Sequence, residues 1–203
     1  MINRWQKIRS FLIPQMFGRF ARFGTDNAFF AYLEESDPSS KTPKIQLTGI
    51  PENSILVKMD QVQEGEARDV TQPLFLVGGE NLRHRCDYVL LTHLENKNCV
   101  IFVELKSKNF SDKEVSGKFK TSACLLDFIA SISKAFYGGA ISFSSGDDIV
   151  CRYVLIYTPD KVIKDPKKLP KPQIGHCSAD HYFKYPASRR DTQRVHYSEL
   201  VKI

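Results

Sequence analysis

Between residues 99 and 106 the chain runs Cys99, Val100, Ile101, Phe102, Val103 without a polar break, then closes with Glu104, Leu105 and Lys106. An unbroken apolar run of this kind predicts a β-strand buried on both faces. Two charges at the end of such a strand are costly unless they have a partner or a task. Alternate side chains of a strand share a face, so Glu104 and Lys106 point one way and Leu105 turns back into the core. The stretch 87–92 reads Asp, Tyr, Val, Leu, Leu, Thr and predicts a second strand. The polar run Glu95-Asn96-Lys97-Asn98 predicts the hairpin turn between the two. A loop centred on Asn96 and Lys97 sets Leu94 against Cys99, Val89 against Glu104 and Asp87 against Lys106. Asp87, Val89, Glu104 and Lys106 then share one face, and a one-residue slip would turn Asp87 away from the others.

Helical periodicity is strongest after Lys106. Val115, Phe119, Ala123, Leu126, Ile129 and Phe136 recur at helical spacing over 112–137, with Lys113, Lys118, Lys120 and Lys134 on the opposite side. Residues 26–35 predict a shorter helix ending in Glu34 and Glu35, and further strands are expected near 73–77 and 150–157. A small hairpin is expected from 45–49 and 54–60 around Pro51-Glu52-Asn53. The N-terminal 1–24 interleaves arginines with aromatics, which suits an amphipathic helix docked on the core with its arginines outward. The same interleaving suits phosphate contacts and base stacking. Residues 159–172 alternate proline and lysine, so they form a loop or arm. A short strand or terminal element is expected within 188–203. Together these patterns predict a single α/β domain over 1–203, with a mixed central β-sheet flanked by helices. Its core lies at about 20–158, and 159–203 is an extension.

Composition narrows the class. The chain has 203 residues, 42% hydrophobic and 26% charged, which is ordinary for a globular domain with a real core. A net charge of +6 favours a polyanionic partner. No apolar run approaches a membrane span. Phe11-Leu12-Ile13, interrupted by Pro14, is too short for a secretory leader. Cysteines at 86, 99, 124, 151 and 177 are odd in number and lack close pair spacing. They point to free thiols in a reducing, cytoplasmic setting.

Two carboxylates converging on one lysine are the ingredients of a metal-assisted hydrolytic site. Asp87 and Glu104 offer hard oxygen ligands for Mg²⁺ or Mn²⁺, and the Leu105 carbonyl offers another. A cation held there polarises a phosphoryl oxygen and acidifies a bound water. Lys106 would orient that water or stabilise charge developing on phosphorus. Phosphodiester cleavage is the chemistry these groups suit.

Asp87, followed by Glu104-Leu105-Lys106 at the end of the next strand, resembles the PD-(D/E)XK nuclease superfamily. The residue before Asp87 is Cys86, where the name-giving motif has proline. The resemblance implies a restriction-endonuclease-like core over roughly 20–158. It implies a Mg²⁺- or Mn²⁺-dependent nuclease acting on DNA, with Asp87, Glu104 and Lys106 catalytic. It also implies that Glu34 or Glu35 approaches from the first helix, and that Lys118 or Lys120 joins from the helix after the Glu-x-Lys strand. Arg83 and Arg85 in the loop leading to Asp87, with Lys167, Lys168 and Lys171 in the Pro/Lys arm, are the candidate nucleic-acid contacts. Small members of this superfamily include restriction, repair and anti-phage effector nucleases. That implies a homodimer or a protein partner supplying target recognition.

Other readings stand beside this one. Asp87 and Lys106 form an ordinary cross-strand ion pair if Glu104 is only a solvated strand end. The chain is then a noncatalytic nucleic-acid-binding or assembly module. An RNase on the same scaffold is a third reading. His176, Cys177, Asp180 and His181 have the residue types of zinc ligands but not a recognised spacing.

Overall fold

A computed structural model describes residues 20–22, 29–35, 42, 44–59, 84–94, 97–107, 110–137, 149–159, 177–187 and 192–201. The N-terminal segment before residue 20, the strand expected at 73–77, Glu80, Arg83 and the arm carrying Lys167, Lys168 and Lys171 lie outside the described residues. Among those described, the strands are β1 Phe20–Arg22, β2 Phe29–Leu33, β3 Lys44–Ile50, β4 Ile55–Lys58, β5 Tyr88–Leu94, β6 Lys97–Lys106, β7 Ile149–Tyr157, β8 Phe183–Pro186 and β9 Thr192–His196. The helices are α1 Asp112–Tyr137 and α2 Tyr197–Val201.

The central sheet is mixed, in the order β4-β5-β6-β7-β8. Strands β4, β5 and β6 pair antiparallel, and β7 and β8 add in parallel. β6 lies in the middle, and its residues Cys99–Leu105 are all buried, as its apolar run predicts. A parallel neighbour needs a crossover, and α1 provides it between β6 and β7. Helix α1 lays Val115, Phe119 and Leu126 against Val89, Val100 and Phe102 of one sheet face. Phe119 is wholly buried, with the rings of Tyr153 and Tyr182 at 5.5 and 5.4 Å.

The other face is covered differently from the expectation. A second sheet, ordered β1-β2-β3-β9, packs Ala31, Leu33, Ile45 and Leu47 against Leu90, Ile101 and Val103. The central sheet is therefore flanked by one long helix and a sheet, rather than by helices on both faces. Residues 29–33, expected as helix, form strand β2; 26–28 lie outside the described residues. Ala31 and Leu33 are buried while Tyr32 between them is exposed, which is a period of two and not 3.6. Its aromatic residues also favour a half-buried pleated surface. Residues 20–22, placed in the expected N-terminal helix, pair with β2 as a strand. β3 and β4 do not form the expected hairpin, because they belong to different sheets. The turn at Pro51–Ser54 carries the chain from one to the other, and Ser54 Oγ meets Thr92 Oγ1 of β5 at 2.7 Å. Late in β3, Gly49 has φ 72°, where the β2–β3 register shifts by one residue. A Cβ there would fall 1.9 Å from His196 Nε2, so only glycine fits this bulge.

Register is the second correction. Leu94 pairs with Lys97, Thr92 with Cys99, and Val89 with Phe102, two residues away from the expected alignment. Only Glu95 and Asn96 separate β5 from β6, so the loop is centred one residue earlier than expected. A two-residue slip keeps every side chain on its expected face, because the strand period is two. Continuing the pairing beyond Tyr88↔Val103 sets Asp87 against Glu104 rather than Lys106.

α1 is 26 residues long and starts at a Ser-x-x-Glu box: Ser111 Oγ accepts the Glu114 N–H at 3.1 Å. Gly117 lies inside this helix, and a Cβ built on it would meet nothing within 4 Å among the described residues. Among the described residues no helix is both long and apolar enough to cross a membrane.

Two substitutions in α1 have opposite expected signs. Phe119→Ala empties a fully buried ring site, and urea denaturation should show a loss of about 3–5 kcal/mol. A loss below about 1 kcal/mol would contradict the packing described. Gly117→Ala should raise stability by about 0.5–1 kcal/mol, because open space surrounds the new methyl and glycine is a poor helix former. A fall in stability would show that the position is crowded.

Candidate functional site

The site forms where β5 begins and β6 ends, on the face that α1 covers. Asp87 precedes β5 and is 4% exposed. Its Oδ2 accepts the Leu105 N–H at 2.6 Å, and its own carbonyl accepts the Met59 N–H at 2.8 Å. The aspartate thereby ties β4, β5 and β6 together at one end. Carbonyls alternate sides along a strand. The Lys106 carbonyl accepts the Thr158 N–H on the β7 side. The Leu105 carbonyl therefore faces the side of Asp87.

Glu104 is 0% exposed. It is not a solvated strand end. Its Oε1 receives Lys118 Nζ at 2.6 Å and Lys106 Nζ at 3.4 Å. Its Oε2 is buried with no hydrogen-bond partner among the described residues. Burial pushes the Glu104 carboxyl above its usual range, against the opposing pull of Lys118 and then Lys106. Lys106 also donates to Glu114 Oε1 at 2.8 Å, which holds the Glu114 carboxyl below its usual range. An alternating run of charge results: Lys118, Glu104, Lys106, Glu114.

Backbone anchoring fixes α1 against this run. Cys86 N–H donates to Ser122 Oγ at 2.9 Å, and Ser122 Oγ donates to the Lys118 carbonyl at 2.8 Å. One serine thus links the residue beside Asp87 to the residue that reaches Glu104. Outside this pair, a cleft of about 710 Å³ opens along the first turns of α1, with Glu114, Gly117, Lys118 and Lys120 on one wall and His84 and Asp180 among its other lining residues. Asp180 accepts Ser116 Oγ at 2.6 Å and pairs with Lys120 at 2.6 Å. Asp112 accepts Tyr182 Oη at 2.5 Å and Lys184 Nζ at 2.8 Å. Residues 177–187 are therefore clamped to the N-terminal part of α1.

The structure brings Asp87, Glu104, Leu105, Lys106 and Lys118 together. Lys118, expected on the polar side of α1 and named as a possible accessory to the site, reaches Glu104 with its Nζ. Lys120 stays at the cleft rim. Glu34 and Glu35 are not brought to the site. They follow a strand of the second sheet and not a helix, on the far side of the central sheet. Glu34 pairs with Lys44, and Tyr88 Oη lies 3.0 Å from its nitrogen and 2.7 Å from its carbonyl oxygen. Glu35 accepts Thr42 Oγ1 at 2.5 Å. Tyr88 and Asp87 point to opposite faces, so these contacts lie away from Glu104. Arg85 is 3% exposed and cannot serve as an exposed phosphate contact. Arg83, Lys167, Lys168 and Lys171 lie outside the described residues.

Of the four residues with zinc-ligand side chains, His176 lies outside the described residues, and the other three are engaged separately. Cys177 Sγ accepts the Tyr153 N–H at 3.0 Å, His181 meets Ser178, and Asp180 serves Ser116 and Lys120. Among the described residues no three His, Cys, Asp or Glu side chains form a metal-holding group. All five cysteines are free thiols, with Cys86 and Cys99 buried. Sequence reasoning missed Glu114. Its only local signals are the capping box with Ser111 and its spacing four before Lys118, and both fit an ordinary helix surface.

A carboxyl held above its usual range binds protons more readily folded than unfolded. Its contribution to stability is full at acid pH and is lost as pH rises through the folded value. Glu104→Gln removes that loss and keeps an acceptor for Lys118. The stability of the variant relative to wild type should therefore grow as pH rises from about 4.5 towards neutrality, read by urea denaturation at a series of pH values without metal. A difference that stays flat or shrinks would show that Glu104 carries no burial penalty. Comparison with known proteins brings no family model, no curated protein and no solved structure into match with this chain.

Proposed function

We propose that this protein is a divalent-metal-dependent phosphodiesterase of the nuclease type, acting on DNA. The observation that carries the reading is the Glu104 carboxylate, fully out of water on the same face as Asp87, with Oε2 lacking a hydrogen-bond partner among the described residues. An orphaned buried carboxylate oxygen is costly, and a cation is a natural way to satisfy it. The donor set fits a hard cation such as Mg²⁺ or Mn²⁺: Asp87, Glu104 and the Leu105 carbonyl offer oxygen only. The antiparallel β4-β5-β6 run, the α1 crossover and the parallel β7 support reading the central sheet as a restriction-endonuclease-like core. The four-stranded sheet would then be an addition on its far face.

The roles follow from position. Asp87 and Glu104 would hold the metal, which when bound polarises a phosphoryl oxygen and acidifies water. Asp87 also braces the Leu105 amide, so the backbone at the strand end is held in place. Lys106, 17% exposed at its side chain, sits between the buried Glu104 and the cleft. From there its ammonium can donate to an attacking water or to a phosphoryl oxygen that gains charge. Lys118 would steady Glu104 through the same carboxylate oxygen, Oε1, that Lys106 approaches. Glu114 holds Lys106 from the solvent side.

One observation favours a second reading. Glu104 Oε1 already has two ammonium partners, as a purely structural charge cluster would. A noncatalytic module that binds nucleic acid or docks on an assembly would need no more than that.

The two readings diverge in metal binding and cleavage. Plasmid, linear and single-stranded DNA, and RNA, should be incubated with Mg²⁺ or Mn²⁺, with EDTA as control. The nuclease reading expects metal-dependent cutting of DNA, reduced at least about 10²-fold by Glu104→Gln and by Lys106→Ala. Preference for RNA would change the substrate and not the site. Metal at about a hundred times its dissociation constant should stabilise wild type by about 2.7 kcal/mol and leave Glu104→Gln unmoved. No cutting and no metal-induced stabilisation would leave the noncatalytic module.

A further inference from the structure

Glu114 has two local uses open to it in α1, but its carboxylate leaves the helix. In a Ser-x-x-Glu box the glutamate ordinarily reaches back to the N–H of the capping serine. Here Ser111 Oγ accepts the Glu114 N–H, while Glu114 Oε1 turns out to Lys106 Nζ at 2.8 Å. A glutamate four residues before a lysine ordinarily pairs with it along the helix. Here Lys118 sends its Nζ to Glu104 Oε1 at 2.6 Å. The hydrogen bond from Lys106 is the main reason that the Glu114 carboxyl is held below its usual range.

What Lys106 needs is a fixed place. Its ammonium rides on a flexible four-carbon stem at the last residue of β6. Glu104 is a poor anchor for it. That contact is 3.4 Å long, and the same oxygen already takes Lys118 at 2.6 Å. Any share of the Glu104 charge given to a divalent cation weakens the contact further. Glu114 is nearer, and it stands on a separate element that Phe119 and Ser122 pin to the sheet. The Lys106 side chain is 17% exposed and that of Glu114 is 45% exposed. The anchor is therefore on the solvent side, where Glu114 lines the cleft.

We propose that Glu114 is the positioning residue of the site: its charge sets where the Lys106 ammonium stands, at the cleft and not drawn into the Glu104–Lys118 pair. This rests on the phosphodiesterase reading above, in which Lys106 meets the attacking water or the phosphoryl oxygen. Glu114 touches neither; it acts through Lys106. Glutamine is the discriminating substitution. It keeps the size of the side chain, can accept from Lys106 and serves in a capping box as glutamate does. It lacks only the charge.

The test compares wild type, Glu114→Gln, Lys106→Ala and the double variant on a DNA oligonucleotide with Mn²⁺. Melting midpoints are measured with and without the metal. Glu114→Gln should lower kcat at least about tenfold with no rise in KM, as expected when an interaction is made only in the transition state. Its melting midpoint without metal should stay within about 2 °C of wild type, and its metal-induced rise should be unchanged. With Lys106 already alanine, and enzyme in excess in single turnovers, the same substitution should cost less than about twofold, because the two residues act as a unit. Wild-type kcat in Glu114→Gln would overturn the positioning role and leave the phosphodiesterase reading standing. So would a further fall of about tenfold in the double variant, which would mean that Glu114 acts without Lys106. Loss of the metal-induced rise in Glu114→Gln would overturn it too, by making Glu114 a metal ligand. Wild type that cuts no DNA with Mn²⁺ would instead remove the phosphodiesterase reading, and the role of Glu114 with it.

Discussion

The rest of the site depends on one burial: the Glu104 carboxylate, at the end of the most covered strand, is wholly removed from water. An ion in that position must be countered nearby or lose its charge. The chain does not supply the counter-charge from the strand alone, because Lys106 stands 3.4 Å away and divides itself with Glu114. Lys118 supplies it from α1 at 2.6 Å. Helix and strand therefore meet through an ion pair as well as through an apolar face. One carboxylate oxygen is still left without a partner among the described residues. That unsatisfied atom, on a residue that shares a face with Asp87, is what makes the cluster a candidate for cation chemistry and not merely a brace.

Two devices hold α1 where Lys118 can reach. The apolar one is Phe119, next along the helix, locked between the rings of Tyr153 on β7 and Tyr182 ahead of β8. The polar one is Ser122, whose hydroxyl joins the Cys86 amide to the Lys118 carbonyl. Residues 177–187 add a clamp through Asp180, Tyr182 and Lys184, which fix the other wall of the cleft on the same helix. The site is thus built from five segments far apart in sequence: the start of β5, the end of β6, α1, the strand β7 behind it, and the segment that leads into β8.

The second sheet has a different part. It seals the face of the central sheet away from the site, so that Leu105 is buried on one side of β6 while Glu104 is buried on the other. From Cys99 to Leu105, strand β6 has neither face open to water. Tyr88 carries this to β2 by bonding the Glu34 backbone, one residue along from Asp87 and on the opposite face. The carboxylates of Glu34 and Glu35 are left at the periphery by that arrangement.

Local periodicity by itself determined a good deal of this. The apolar run of β6, the helical stripe of α1 with its bounds at 112 and 137, and the strand that became β7 were all legible in the sequence. So was the sharing of a face by Asp87, Glu104 and Lys106, because alternation is a property of the backbone and survives a register slip of two. Tertiary structure decided what lies between elements. Phe29–Leu33 is apolar enough for either a helix or a strand, and pairing with β1 and β3 made it a strand. The hairpin alignment turned on two residues of loop length, and Arg85 is charged in sequence yet buried in the fold. Glu114 looks like an ordinary helix-surface charge until α1 is docked, and nothing local chooses between Lys118 and Lys120. A pattern of polar and apolar residues specifies which side of an element is inward; it does not specify which ion on a neighbouring element waits there, because that contact exists only once distant segments have packed.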